Sequence, residues 1–414
     1  MANNLLTISK VTPEALMVLE NELTFTRGVD RMYDDQFAQD GAKIGYTVNL
    51  RKPARFLGGA GPALNIEDFN ETYVPLTLTT QWEVATTFTT ADLTMSLDMF
   101  SDRVLRPKIA AIANKIDADG LTMAKNSTGN IVGTPGTPAS AYLTYLNAGA
   151  YLSAEGAPVG DRSVVIEPFT SAAVVDGLKG LFTPADKIGE QYKRGRMGRD
   201  SAGMDWNVDQ NVVSQTFGAW AGASASTFTM NAANQGLASG WASSSTLNVT
   251  TGASLTLNQG DVIQIAGVYA VNPQNRSAYG SNKLRSFVVQ STTTLNGAGT
   301  LTVSPALIYG GQFQNVTATP ASNATITPYS VGVSGSGTVS PQNILYHRDA
   351  FAFACADLLL PPGVEASRAS DKESGLSIRV VRQYTINNDS IPTRLDILYG
   401  WAPKYPELAC RIAS

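Results

Sequence analysis

The residues with which this 414-residue chain could do chemistry are few: one histidine, His347, two cysteines, Cys355 and Cys410, and scattered carboxylates and hydroxyls. A single imidazole rules out the common multi-histidine metal sites and leaves one candidate for a histidine-based triad. No Gly-x-Ser-x-Gly turn surrounds a serine, so such a triad would have no marked nucleophile. Asp34 and Asp35 are adjacent, and Asp117 and Asp119 stand two apart within a helical pattern. Pairs so placed point apart, whereas glycoside hydrolysis needs two carboxylates facing each other across a bond. The Gly-, Thr- and Pro-rich run 126–138 lacks the Lys-Ser/Thr of a phosphate-binding loop. Lys193, Arg194, Arg196 and Arg199 make the one basic cluster, on a glycine-bearing loop. It could touch nucleic acid or a partner, but no aromatic residues interleave it, and a solvated loop is the favoured reading. No catalytic, metal or cofactor site stands out.

Composition points the same way. Charged residues make up 15% of the chain, against roughly 25% in an average soluble domain. A formal net charge of −4 gives no overall field to draw in DNA or an anionic membrane. Two cysteines cannot staple a chain of this size, and free structural thiols suit a reducing, cytosolic setting. The N-terminus lacks a basic segment followed by an apolar core, and no apolar run approaches the roughly 18 residues of a membrane span.

The elements that would carry any function are better marked than the chemistry. Between Ser96 and Met123, apolar residues at Leu105, Ile109, Ile112, Ile116 and Met123 follow the three-and-four spacing of a helix with one buried face. About 28 residues at 1.5 Å per residue would span roughly 40 Å, long enough to serve as a strut. Pro107 predicts a kink near Arg103 or a rod that begins at the proline. Thr12-Pro13-Glu14 predicts a helix start, and its stripe of Leu16, Leu19 and Leu23 predicts a thin helix needing another surface, such as a second subunit. Ile44 to Leu50 and Val74 to Phe88 have the period of strands. The excursion between them is broken by Gly58, Gly59 and Gly61 and carries Arg51, Lys52 and Arg55 on one arm, with Glu67, Asp68 and Glu71 on the other. A solvated hairpin with incidental ion pairs is the plain reading of that loop.

Ser163 to Ile166 predicts a strand feeding a helix capped near Thr170 and continuing to Leu181. From Ala221 to Leu345 the charged residues are Asp261, Arg276, Lys283 and Arg285, and short β-rich runs alternate with Gly, Asn and Pro turns. This predicts an inserted all-β domain, a barrel or a sandwich. Leu376 to Ile386 and Leu395 to Tyr399 predict a closing hairpin with its turn at 387–390.

The run Tyr346-His347-Arg348-Asp349-Ala350-Phe351 and the run from Pro392 to Gly400 resemble the end of coat proteins of the short-tailed Salmonella phage type. Val48 to Pro53, Phe88 to Leu93, Ala113 to Asp117, Gly260 to Val268 and Gly375 to Arg379 agree in order, so the likeness covers nearly the whole chain. It implies an α+β fold, the Hong Kong phage-type major capsid fold. The implied parts are an N-terminal arm (1–30), an extended β loop (31–88), a peripheral domain with a spine helix (89–150), an axial domain (151–220), an inserted β-barrel (221–345) and closing strands (346–414). It further implies self-assembly as pentamers and hexamers into an icosahedral virion shell, built in the bacterial host cytoplasm. The implied partners are a scaffolding protein, a portal protein and, in some shells, a decoration protein. Double-stranded DNA would be enclosed without specific binding. On this reading Arg51, Lys52, Arg55, Glu67, Asp68, Glu71, Leu16 and Leu19 meet neighbouring subunits, and the spine bends at Pro107. Related shells of another branch crosslink a lysine to an asparagine; nothing marks such a pair here, and no crosslink is expected. The alternative is a β-rich carbohydrate-binding or adhesin-like surface protein, suggested by the neutral, Thr- and Asn-rich insertion.

Overall fold

The computed structural model describes residues 8–32, 47–58, 61–62, 66–89, 105–177, 202–219, 228–279, 282–329, 337–371 and 375–414. In chain order the first elements are α1 (Ile8–Glu22), β1 (Asp30–Met32), β2 (Thr47–Lys52), β3 (Thr72–Thr77), β4 (Thr80–Thr89) and α2 (Arg106–Ser127). Then come β5 (Ile131–Gly133), α3 (Tyr142–Ala154), β6 (Arg162–Ile166), α4 (Pro168–Gly177), β7 (Asp205–Val208) and β8 (Ser214–Thr216). The next stretch is all β: β9 (Thr229–Met230), β10 (Ser245–Thr250), β11 (Leu255–Leu257), β12 (Val262–Tyr269), β13 (Leu284–Val289), β14 (Thr293–Leu295), β15 (Ala298–Ser304) and β16 (Ile326–Pro328). The last strands are β17 (Val339–His347), β18 (Ala352–Ala356), β19 (Glu365–Asp371), β20 (Leu376–Arg382), β21 (Ser390–Ala402) and β22 (Ala409–Ala413). The chain forms two compact units, the first made of 1–50, 74–120 and 351–404, the second of 51–73, 121–350 and 405–414.

In the first unit the strand order is β1-β18-β21-β20-β19, and β4 runs antiparallel to β21 from Thr80 opposite Tyr399 to Thr89 opposite Ser390. α1 lies against β19 and β20 and buries Val11, Ala15, Leu16 and Leu19, with Leu23 buried just past its end. The surface this thin helix needs is therefore in its own chain, which corrects the assignment of Leu16 and Leu19 to a subunit contact. Leu19 is fully buried. The helix also begins at Ile8, so Pro13 lies inside it and Thr12 is not its cap. The turn after α1 is tied to α2 through the buried carboxylate of Asp117, which accepts from Thr24 N at 2.7 Å, Thr26 N at 3.0 Å and Thr26 Oγ1 at 2.5 Å. Ile109, Ile112 and Ile116 are fully buried, as their spacing predicts. At Gly120 a Cβ would come within 2.6 Å of the Trp401 ring and 2.9 Å of Phe25, so only glycine lets helix, ring and turn approach this closely. The described α-helical part of the spine runs from Arg106, with Leu105 before it in a π turn and Pro107 close to that junction. The stretch 96–104 lies outside the described residues.

In the second unit the order β5-β22-β17-β6-β7, with β8 on β17, makes a mixed sheet packed with α3 and α4 around Tyr145, Leu152, Val164, Ile166, Val174, Trp206, Leu345 and Ile412. α4 begins at Pro168, so Thr170 is inside the helix and bonds back to Glu167 at 3.2 Å. Residues 228–328 add an antiparallel sheet ordered β16-β12-β13-β15-β10-β9 and a β11-β14 pair around one apolar core that includes Phe228, Leu247, Ile263, Phe287, Leu301 and Ile326. Hydrogen bonds return from the last strand of that sheet to the segment entering the first: Met230 N to Ala324 O at 2.9 Å and Ile326 N to Phe228 O at 2.8 Å. Two strand readings shift. The pattern from Val74 to Phe88 is cut at Leu78 and Thr79 into β3 and β4, and β20 stops at Arg382, leaving Tyr384 and Ile386 exposed.

Candidate functional site

The loop between β2 and β3 gathers most of the residues singled out above. Glu67 bridges its arms by accepting from Leu57 N and Gly58 N, both at 2.6 Å. Arg51 lies 3.8 Å from Glu71, and both are largely exposed, a geometry that contributes little to stability. Lys52 Nζ stands 4.7 Å from the centre of the Tyr405 ring and 5.3 Å from that of Trp241. Arg55 pairs with Glu407 at 3.6 Å, and the Asp68 carbonyl accepts from Gln312 at 2.8 Å. The charges at the root of the loop are thus partnered within the subunit. What the loop turns outward is apolar: Phe56, Leu57, Ile66, Phe69 and Tyr73 are all exposed, Ile66 by 83%, with the Phe56 and Phe69 rings 6.4 Å apart. Sequence reasoning weighed the charges here and passed over these side chains, although a Phe and a Leu beside a Gly-rich break were there to be read.

The second unit is also fastened by buried ionic groups. Arg411, fully buried on β22, donates through Nε and Nη2 to Gln342 Oε1 at 3.0 and 2.7 Å and through Nη1 to Gly260 O at 2.6 Å and Lys125 O at 3.1 Å. One guanidinium so joins β22, β17, the turn before β12 and the last turn of α2, where a carbonyl lacks a helical partner. Burial lowers Arg411 to about 10, with Asp261 opposing. Burial pushes the Asp261 carboxyl up, against bonds from Asn258 N, Gly218 N and the Gln215 amide. Arg285 of β13 is paired with Glu155 at the end of α3, both almost wholly buried. Burial raises Glu155, and the guanidinium beside it works the other way. Asp261 and Arg285 were marked in the sequence as charges in a charge-poor stretch, and Arg411 and Glu155 were not marked at all.

The remaining candidates do not converge. His347 is buried and accepts from Asp349 N at 3.3 Å. Cys355 and Cys410 are free and buried, and burial pushes the Cys355 thiol up to about 12. Among the described residues no three His, Cys, Asp or Glu side chains gather for a metal ion, and no helix is long and apolar enough to cross a membrane. Asp34, Asp35 and the basic cluster Lys193, Arg194, Arg196 and Arg199 lie outside the described residues.

The family model described as P22 coat protein, gene protein 5, matches residues 1–411. This chain belongs to that family. It is a bacteriophage major capsid protein, and its copies form the icosahedral capsid of the virion. The adhesin-like alternative is not favoured. Among solved structures, the chain is similar to one from Mycobacterium phage Che8 at 10% identity and a TM-score of 0.44, covering 94% of this chain and 90% of that one. The capsid of Ralstonia phage GP4 matches at 7% identity and 0.44, covering 94% and 88%. The mature capsid of bacteriophage PhiM1 matches at 9% and 0.44, covering 94% and 86%. No curated protein matches the chain.

Proposed function

We propose that each subunit joins its neighbours in the shell through the 51–73 loop, within a fold of the Hong Kong phage type whose 221–345 segment is an inserted β-barrel. The observation that carries the loop's role is the exposure of Phe56, Leu57, Ile66, Phe69 and Tyr73 on one short segment, since contiguous apolar surface in a shell-forming subunit is surface for another copy to cover. Arg51, Lys52, Arg55, Glu67, Asp68 and Glu71 set the loop's shape and the polar rim around that patch. The bonds between residues 228–230 and residues 324 and 326 support the barrel reading, because they link the two end strands of the sheet. Assembly takes place in the host cytoplasm around a scaffolding protein with a portal at one vertex, and packaged double-stranded DNA is enclosed without specific contacts, in keeping with the net charge of −4. Decoration proteins can bind the finished shell. The spine helix bends at Pro107 between pentamer and hexamer settings; a straight rod in every subunit of a shell reconstruction would remove that reading.

The loop is tested with Ile66→Ser plus Phe69→Ser. The purified subunit is expected to keep its circular dichroism and sedimentation as a folded monomer while electron microscopy finds no closed shells. Shells in normal yield from this double variant would sink the reading.

A further inference from the structure

The side of the loop that meets its own subunit differs from the side that does not. Arg276 Nη2 donates to Phe56 O at 3.0 Å, and Gln312 Nε2 donates to Asp68 O at 2.8 Å. One bond grips each arm of the loop, and both donors come from the β-rich insertion. Both acceptors are backbone carbonyls, so the side chains of Phe56 and Phe69, more than half exposed, are left facing out. The donors are themselves held. Arg276 Nη2 also reaches Gln312 O at 3.5 Å. Arg276 takes a left-handed backbone conformation, φ 57°, rare for an arginine. The turn around it is closed by Arg276 N to Asn272 O at 2.8 Å, Asn272 N to Ser277 O at 2.9 Å and Ser277 Oγ to Asn275 Oδ1 at 2.7 Å. Gln312 follows Gly310 and Gly311, both at positive φ. Two such turns aimed at the two arms are costly to build for chance contacts.

We infer that the insertion acts as a bracket for the extended loop, with Arg276 and Gln312 as positioning residues that fix its backbone so that Phe56, Leu57, Ile66 and Phe69 are presented, already ordered, to a second copy of the chain. This inference rests on the loop being a subunit contact. Its physical content is preorganisation: a loop ordered before encounter loses less conformational entropy on binding, so association is faster at the same contact area. The backbone grip also excludes the opposite device, a loop folded down to hide its apolar side chains.

The test uses the full-length unassembled subunit with Arg276→Asn and Gln312→Ala together. Asparagine tolerates the left-handed turn but cannot reach Phe56. Hydrogen exchange of the Leu57 and Gly58 amides, which the loop holds on Glu67, is expected to rise about tenfold, while those of the core strands holding Ile263 and Phe287 stay unchanged. Shells are expected to form several-fold more slowly, with the subunit's thermal midpoint little moved. Gln312→Ala alone, which leaves the 272–277 turn intact, is expected to give a smaller increase of the same kind and keeps the test open if the double variant does not fold. Unchanged loop exchange, or faster exchange with assembly at the wild-type rate, would overturn the bracket. If Ile66→Ser plus Phe69→Ser stops assembly while the bracket variant assembles normally, the bracket alone falls. If both variants assemble normally, the loop-contact reading falls with it.

Discussion

α1 and the 51–73 loop are both short, both bear a row of large apolar side chains, and they treat those side chains in opposite ways. In α1 the row Val11, Ala15, Leu16 and Leu19 is buried against strands of the same chain, and Met17 stands well exposed. In the loop Phe56, Leu57, Ile66 and Phe69 are exposed, and the hydrogen bonds that hold the segment are made to its backbone. The difference lies in what each can offer a sheet. A helix satisfies its own peptide groups and can bring an apolar stripe down onto strands. An irregular loop has peptide groups that must find partners elsewhere, and here the carbonyls of Phe56 and Asp68 find them on the insertion while the side chains of Phe56 and Phe69 stay exposed. The same residue types are thus buried in the subunit in one place and exposed in the other.

That contrast can be broken by stability measurements on the unassembled subunit. Leu19→Ala should lower unfolding free energy by about 2–5 kcal/mol in denaturant titration, because it opens a cavity between α1 and its sheet. A loss under about 0.5 kcal/mol would mean the helix is loosely seated and could be exchanged between subunits. Asp117→Asn should cost about 2–3 kcal/mol, since the carboxylate accepts several bonds from the turn that follows α1. Lys108 gives a smaller effect with a sign fixed by linkage. It is buried, and desolvation lowers it to about 8 from 10.5. Between those values the unfolded chain binds more protons than the folded one, so this group makes the subunit more stable as pH rises from about 8 to 10.5. Lys108→Met should flatten that rise and stabilise the subunit by about 1–2 kcal/mol at neutral pH. The loop variant Ile66→Ser plus Phe69→Ser should move subunit stability least, by under about 0.5 kcal/mol, although its effect on assembly is the largest.

Much of the architecture was legible in residue spacing. The buried set Ile109, Ile112 and Ile116 is the face that a 3.6-residue period picks out, and Leu376, Ile378 and Val380, all buried in β20, follow the two-residue period of a strand. The apolar residues of the charge-poor stretch do close into a core of their own. Three things were not legible. The start of α1 was misplaced because Thr-Pro-Glu is a strong local cap signal that the fold overrides. The value of Arg411 was invisible because its partners Lys125, Gly260 and Gln342 are 286, 151 and 69 residues away. The sorting of the loop's residues into inward-held backbone and outward side chains depends on Arg276 and Gln312, more than 200 residues further on.

What the sequence determined by itself was the set of elements and the kind of protein: local periodicity fixes helices and strands, and ordered runs along the whole chain mark a coat protein. What the tertiary structure decided was which apolar side chains are buried inside the subunit and which are left exposed. Burial is a property of the folded surface as a whole. Leu19 and Ile66 differ little as residues, and only where the fold places them makes one buried and the other exposed.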